Sequence, residues 1–401
     1  MKHSCPNCKN CDMTPFYEVH QVPVHDVLLM ESRKEAVNHP RRDMKLAFCP
    51  FCGFISNCIF DPEIHEYSAK YEETQGFSGT FSQFHQALAQ QLIDKYHLYN
   101  KKILEIGCGK GEFITLLCEL GNNRGYGFDP AFVPERNPDR HNLVEFVTDY
   151  YSEKYSHYSA DMVCCKMTLE HIAETFDFVE MVRNAIGEDH STIVFFQMPE
   201  ALSIFTNLAF WDIYYEHCSY FSRVSLGHLF EATGFRILNL QAVFDGQYLT
   251  IEAKPTLRGS NHGNIYGSRK SILQVVKYFR KRVHDHQEQW KNLIDSYHRH
   301  HKKVILWGGS SKSVAFLTSL NITEEIEYVV DINPYKQGYF MPGSGQEVVS
   351  PSFLREYKPD MIIVMNPVYL EEIHQDLKQM NLSPDILPVD YWTKTQTLKN
   401  A

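Results

Sequence analysis

Apolar and polar positions fall into blocks along the chain, and the blocks change character several times. From Ile103 to about Pro255, short apolar runs alternate with stretches of helical period. Ile103–Ile106, Arg124–Phe128, Asp161–Cys165 and Thr192–Phe196 read as strands. That alternation predicts βαβ units and a parallel sheet. A second α/β unit opens at Lys303–Leu306 and continues through Ile326–Val330 and Met361–Val364. The two units read as degenerate copies of one architecture, although no fixed short period links them. Between them, polar Arg258–Asn264 predicts a loop. The residues from about 268 to 300 then predict one long helix, so dense in Lys, His and Gln that much of it should face solvent. Residues 61–95 are rich in aromatics and glutamine, with a helical second half.

These blocks predict five segments: residues 1–60, a helical connector at 61–95, an α/β domain at 96–266, a linker helix at 267–302 and a second α/β domain at 303–401. A length of 401 residues agrees with two or three domains. Hydrophobic content of 43% and charged content of 22% suit a chain able to bury a real core. The formal net charge of -10 disfavours nucleic acid as a partner. The longest apolar runs, such as Ile193–Phe196 and Met361–Met365, are far too short to span a bilayer. No apolar signal-peptide core follows Met1, so a cytoplasmic protein without membrane partners is expected. In that compartment the eleven cysteines should be reduced, some as metal ligands and others buried.

Six of those cysteines lie in the first segment. Cys5-Pro6-Asn7-Cys8 and Cys49-Pro50-Phe51-Cys52-Gly53 are two CxxC knuckles, separated by 40 residues. Each knuckle aims two thiolates at one point, and two knuckles complete a tetrahedral zinc site. Four thiolates leave no position for water, so the zinc should be structural. Cys11 competes with Cys5, because Cys8 and Cys11 also form a CxxC, but one without the matching proline. Cys58 has no partner knuckle and is expected in the core. Buried thiols or a redox pair are the plainer readings, and the paired knuckles favour zinc over both.

The central domain opens on Ile103-Leu104-Glu105-Ile106-Gly107-Cys108-Gly109-Lys110-Gly111-Glu112-Phe113. This is an apolar strand ending in an acid, then GxGxG, then the start of an apolar helix. Glycines there let the backbone approach a ligand and open the helix. A glycine-rich turn alone also occurs in dinucleotide-binding folds. A second acid, Asp129, ends the next strand beside Pro130, where it can accept both hydroxyls of a ribose. The combination resembles class I S-adenosylmethionine-dependent methyltransferases. The resemblance implies that Glu105 anchors the methionine end of the cofactor. Gly107, Cys108, Gly109 and Gly111 would make its loop, and Asp129 with Pro130 would hold the ribose. It also matches Asp149 to a position beside the adenine and Met167 to a cofactor-lining position. A helix cap and a core residue are the plainer roles for these two.

Trp211-Asp212-Ile213-Tyr214-Tyr215-Glu216-His217-Cys218-Ser219-Tyr220-Phe221-Ser222 concentrates acids, one imidazole and aromatics. A lone histidine is usually structural. One beside Glu and near Tyr is a candidate general base. The Tyr-x-Glu-His-x-x-Tyr-Phe-Ser segment resembles the nucleotide-sugar C-methyltransferases, and the resemblance spans essentially the whole chain. It implies an N-terminal zinc module, a central Rossmann-like methyltransferase domain and a second Rossmann-like domain. It further implies His217 as general base, Tyr214 and Glu216 shaping its pocket, and His171 and Tyr71 as active-site residues. The expected substrate is a nucleoside-diphosphate-linked deoxy-keto sugar, methylated through an enolate beside its keto group.

The turn Trp307-Gly308-Gly309-Ser310-Ser311-Lys312 could hold a pyrophosphate on helix N-terminal amides and Lys312. Asn366 falls where the family reads its substrate. Two departures lie in that region. Tyr71-Glu72-Glu73-Thr74-Gln75 replaces a serine-rich stretch, and Met365-Asn366-Pro367 stands where many members have Trp-Asn. Three alternatives remain: an O- or N-methyltransferase on another small molecule, a zinc-containing nucleic-acid methyltransferase, and a non-catalytic scaffold. The net charge and the lack of a long Lys/Arg tract count against the second, and the intact cofactor signature against the third.

Overall fold

The computed structural model describes residues 4–64, 68, 70–136, 142–256 and 269–393. The polar stretch Arg258–Asn264 lies outside the described residues. The first segment folds mainly as antiparallel β1 (Thr14–Pro23), β2 (Arg41–Phe48) and β3 (Ile55–Asn57). The central region holds β4 (Lys102–Ile106), β5 (Arg124–Phe128), β6 (Val144–Val147), β7 (Met162–Lys166) and β8 (Ile193–Pro199), all parallel to one another. The short β9 (Ser219–Tyr220) leaves this region and pairs with β3, completing the N-terminal sheet. The hairpin β10 (Phe235–Val243) and β11 (Tyr248–Pro255) returns to the central sheet, with β11 antiparallel to β8. Among the described residues its order is β10-β11-β8-β7-β4-β5-β6.

Alternation along β4, β7 and β8 divides the core between the two faces of the sheet. Ile103, Cys164 and Phe195 share one face with Leu88, Leu92, Phe113 and Leu117, from helices Gly79–Tyr96 and Glu112–Gly121. Leu104, Val163, Cys165 and Phe196 pack on the other against Val179, Val182, Leu229 and Phe230, from helices Thr175–Ile186 and Arg223–Ala232. The cluster on that second face includes Cys5, Cys49, Cys52 and Phe54, so the cysteine module docks on the central domain.

A parallel sheet of order β14-β13-β12-β15-β16 follows, from β12 (Val304–Trp307), β13 (Tyr328–Val330), β14 (Glu347–Val349), β15 (Met361–Val364) and β16 (Asp385–Pro388). The helix Arg269–Arg299 is less solvated than its composition suggests. Ile272, Val276, Phe279, Val283, His286, Trp290 and Ile294 form one buried stripe at spacings of three and four. Phe279 meets Tyr17 of β1 and Phe205, and Trp290 meets Phe316 of the last sheet's flanking helix, so this helix binds the three units together. No described helix is long and apolar enough to cross a membrane.

The two α/β units repeat one local device. Asp129 follows β5; its Oδ2 accepts from Gly109 N at 2.8 Å and its Oδ1 from Ala131 N at 2.7 Å. Asp331 follows β13; its Oδ2 accepts from Gly309 N at 2.9 Å and its Oδ1 from Asn333 N at 2.8 Å. In both units, an acid after the second strand braces the glycine turn after the first.

Candidate functional site

The Sγ atoms of Cys5, Cys8, Cys49 and Cys52 all lie within 4.8 Å of one another. Cys5 and Cys52 are 3.7 Å apart, and Cys8 and Cys49 are 3.8 Å apart. A tetrahedron with metal–sulfur bonds of about 2.3 Å has edges of about 3.8 Å, so these four sulfurs fit a zinc ion. Cys11 Sγ approaches Cys49 at 3.4 Å but stands outside that mutual set. Asn7, inside the first knuckle, donates to Cys52 Sγ at 3.7 Å and to Ser225 O at 3.1 Å. One knuckle side chain thus ties the cluster to the central domain.

A cavity of about 890 Å³ lies where the three units meet, and its volume is ample for a bound small molecule. It opens at the C-terminal ends of β4 and β7, where the strand order reverses and α/β folds bind ligands. Gly107 and Gly109 have φ of 69° and 53°. A Cβ on Gly107 would stand 2.1 Å from Thr168 Oγ1, and one on Gly109 would stand 2.6 Å from Glu73 Oε1. The left-handed backbone favours glycine at both positions, and at Gly107 the packing of Thr168 leaves no room for a Cβ. Burial pushes the Glu105 carboxyl up to about 7, and its Oε2 has no hydrogen-bond partner. Such an orphaned buried acid suits an incoming ammonium. These observations fit the methionine end of S-adenosylmethionine.

Cys108, Asp129, Pro130, Asp149 and Met167 line the same cavity, while Gly111 does not. Gly111 instead caps the helix Glu112–Gly121. The Asp149 carboxylate turns toward Lys154 and Tyr155, and its pKa is held down to about 2 by Lys154 first and then by Tyr155. Met167 sits at φ 49°, a strained conformation for a side-chain-bearing residue and one common at functional sites.

The same cavity is lined by His217, His171, Glu170, Tyr214 and Glu216. His217 Nε2 lies 3.1 Å from Tyr214 Oη and 4.0 Å from Glu170 Oε1. The His171 and His217 rings meet edge to face at 4.8 Å. Burial, with His171 and Lys312 nearby, pushes the His217 pKa well below its ordinary value, so the ring is neutral. Burial likewise keeps Tyr214 a phenol. Glu216 accepts from Tyr71 Oη and, at 2.9 Å, from Asp26 N. Sequence reasoning missed Glu170. The signal was an acid within the apolar segment Leu169-Glu170-His171-Ile172, now 1% exposed with neither carboxylate oxygen hydrogen-bonded.

Ser310, Ser311, Lys312 and Asn366 line the cavity from the last domain, while Gly309 is turned to Asp331. Lys312 reaches away from its own turn and pairs with Asp212, in the segment that carries His217. That contact couples the last domain to His217 and leaves the pyrophosphate role expected of Lys312 in competition with Asp212. Asn366 Oδ1 accepts from Gln247 Nε2 at 3.0 Å. The departing stretch Tyr71–Gln75 lines the cavity through Tyr71, Glu73, Thr74 and Gln75 and forms a strap. Glu72 accepts from Arg136 Nη1 and from Asn333 Nδ2, each at 2.8 Å, and Gln75 Oε1 accepts from Tyr369 Oη at 2.9 Å. Lys110 Nζ donates to the Tyr71 carbonyl at 2.8 Å. The strap therefore touches both α/β units.

Residues 80–240 match the family described as methyltransferase domain, and residues 269–383 match the C-methyltransferase C-terminal domain. The C-methyltransferase NovU of Streptomyces niveus is 23% identical over 337 residues, covering 80% of this chain and 79% of that protein. Among solved structures, an N,N-8-amino-8-demethyl-D-riboflavin dimethyltransferase from Streptomyces davawensis is 16% identical. It covers 44% of this chain and 56% of its own, with a TM-score of 0.36. A magnesium protoporphyrin IX methyltransferase from Synechocystis PCC 6803, solved with bound SAH, is 15% identical. It covers 44% of this chain and 84% of its own, also with a TM-score of 0.36. Fold and family matches together define a class I S-adenosylmethionine-dependent methyltransferase. More narrowly, its second α/β unit matches the C-terminal domain of C-methyltransferases.

The bracing role of Asp129 sharpens one prediction. Asp129→Ala removes the brace on Gly109 and Ala131 together with the ribose acceptor expected at this position. Affinity for S-adenosylhomocysteine should fall by about 1.5–3 kcal/mol, the worth of lost charge-assisted bonds. Calorimetry showing wild-type affinity would remove Asp129 from the cofactor site.

Proposed function

We propose that the protein methylates a carbon beside the keto group of a nucleoside-diphosphate-linked deoxy-keto sugar. The observation that carries this reading is the neutral His217 imidazole, 3.1 Å from the Tyr214 phenol, in one cavity with the glycine loop and the last domain's turn. The likeness to the C-methyltransferase NovU and the family's C-terminal domain support carbon as acceptor. Cys5, Cys8, Cys49 and Cys52 hold a structural zinc in this reading.

A carbon beside a ketone gives up a proton only if the resulting oxyanion is stabilised. The substrate's keto oxygen takes over the Tyr214 hydroxyl proton as a hydrogen-bond acceptor, which releases the His217 Nε2 lone pair. His217 then accepts the α-proton, and the C–H electron pair moves into the enolate held by Tyr214. S-adenosylmethionine supplies an electrophilic methyl group and a neutral thioether leaving group. Glu170, beside Nε2, offsets the imidazolium charge that the transfer creates. Tyr71 and Glu216 fix the segment that carries His217.

The test is exchange of the substrate's α-proton with deuterated solvent. Wild-type protein, loaded with S-adenosylhomocysteine and a keto-sugar nucleotide, should deuterate that carbon without turnover. Methyl transfer to an oxygen or nitrogen with no exchange would replace this reading with an O- or N-methyltransferase.

A further inference from the structure

Lys166 is the last residue of β7 and lines the cavity, yet its side chain is almost wholly buried. Its Nζ donates to His85 Nε2 at 2.8 Å and stands 4.3 Å from the centre of the Phe113 ring. His85 comes from the helix Gly79–Tyr96 and also lines the cavity. Burial, and then Lys166 itself, pull the His85 pKa down to about 2, so the ring is a neutral acceptor. Among the described residues no carboxylate forms an ion pair with Lys166. Burial disfavours the charge on Lys166, and the carboxylates that offset this, Glu105 foremost and then Glu112 and Glu170, act from beyond ion-pair distance. A buried ammonium in direct contact only with an imidazole and a phenyl ring gains from a ligand anion that pairs with it directly.

The topology says which part of a ligand arrives there. Strand order β7-β4-β5 sets Lys166, the glycine loop and Asp129 side by side across the mouth. With the ribose at Asp129, the other end of the cofactor falls on the β7 side of Gly107. That end is a zwitterion. Orphaned Glu105 is suited to its ammonium, and Lys166 presents the opposite charge.

We propose that Lys166, steadied by His85 and Phe113, binds the carboxylate of the methionine end of S-adenosylmethionine. This rests on reading the cavity as the cofactor site. It adds a cofactor-binding residue from β7 and a positioning residue from the connector helix to a site otherwise built on the glycine loop.

Two ligands differing by that carboxylate alone provide the test: S-adenosylmethionine and its decarboxylated form, each titrated into full-length protein by calorimetry. Wild-type protein should prefer the carboxylate-bearing ligand by at least tenfold. Lys166→Met should weaken S-adenosylmethionine by roughly 10–100-fold, the usual worth of a charge-assisted bond. It should leave the decarboxylated ligand unchanged, and Lys166→Arg should retain part of the preference. A wild type without preference, or a Lys166→Met variant that loses both ligands equally, would overturn the assignment. The wild-type comparison decides even if Lys166→Met does not fold. A loss confined to uridine diphosphate would assign Lys166 to the substrate's phosphates and also overturn it. Wild-type protein that binds neither sulfonium ligand would instead defeat the reading of the cavity as a cofactor site.

Discussion

Protein purified without chelator should carry one zinc ion per chain, and Cys49→Ser should release it and melt the N-terminal module. The four sulfurs already stand at the corners of a tetrahedron suited to zinc. In small zinc modules the metal is worth about 10–16 kcal/mol of binding, most of which is folding free energy. Here the module also rests on the core around Phe54, Phe221 and Leu226, so its loss should be partial rather than complete. The consequence for activity follows from β9. That strand pairs with β3, and Asn57 N donates to Cys218 O at 2.9 Å, directly after His217. Loss of zinc should therefore disorder the His217 segment more than the glycine loop. Turnover should collapse while S-adenosylhomocysteine still binds. Zinc content, melting temperature, cofactor affinity and rate, measured on one sample, check this. Zinc-free protein with normal melting would refute the metal site, and parallel loss of affinity and rate would refute the role of β9.

The inner strands β4, β5, β7, β8, β12, β13 and β15 were legible because each is a short apolar run between helical stretches, and buried parallel strands must be apolar on both faces. β6, β14, β16 and the β10–β11 hairpin, toward the sheet edges, were not read. β1 and β2 were not legible. β1 carries irregular register between Pro15 and Tyr17 and between Val19 and Val22, which breaks the two-residue alternation that marks a strand. The glycine loop and Asp129 could be read from spacing, since both obey local backbone demands. The cysteine cluster could be read because a knuckle is a local motif. Glu170 and the strap could not, because their roles depend on contacts between distant segments. Glu72 meets Asn333 across 261 residues, and Lys312 meets Asp212 across 100. No pattern within either segment encodes such a partner. Lys166 shows the same limit: a lysine closing an apolar strand looks like a solvated end, and only the fold over it reveals burial.

His217→Asn should lose turnover by roughly 10²–10⁴-fold, the usual contribution of a positioned acid–base group. It should keep the fold and the affinity for S-adenosylhomocysteine, since the side-chain partners of His217 are Tyr214, His171 and Glu170 rather than residues of the glycine loop. Exchange of the substrate's α-proton should stop with it. The plainer alternative, a packing histidine, predicts lowered melting temperature with near-normal rate in the folded fraction. Dependence on pH separates the two further. His217 is held well below its ordinary pKa, so the neutral base is in place at pH 7 and is lost only on stronger acidification. Glu170 is pushed up by burial to about 8, against the pull of Lys166. Below that pH it is a neutral acid, and above it a carboxylate 4.0 Å from His217 Nε2. An anion there stabilises the imidazolium formed in the transfer, so turnover should rise with pH through about 8. Glu170→Gln should flatten that rise while His217 remains the base. A Glu170→Gln profile that still climbs through the same range would exclude Glu170 as the counter-charge. A His217→Asn variant with nearly full activity would shift the search for the base to His171 and Tyr71.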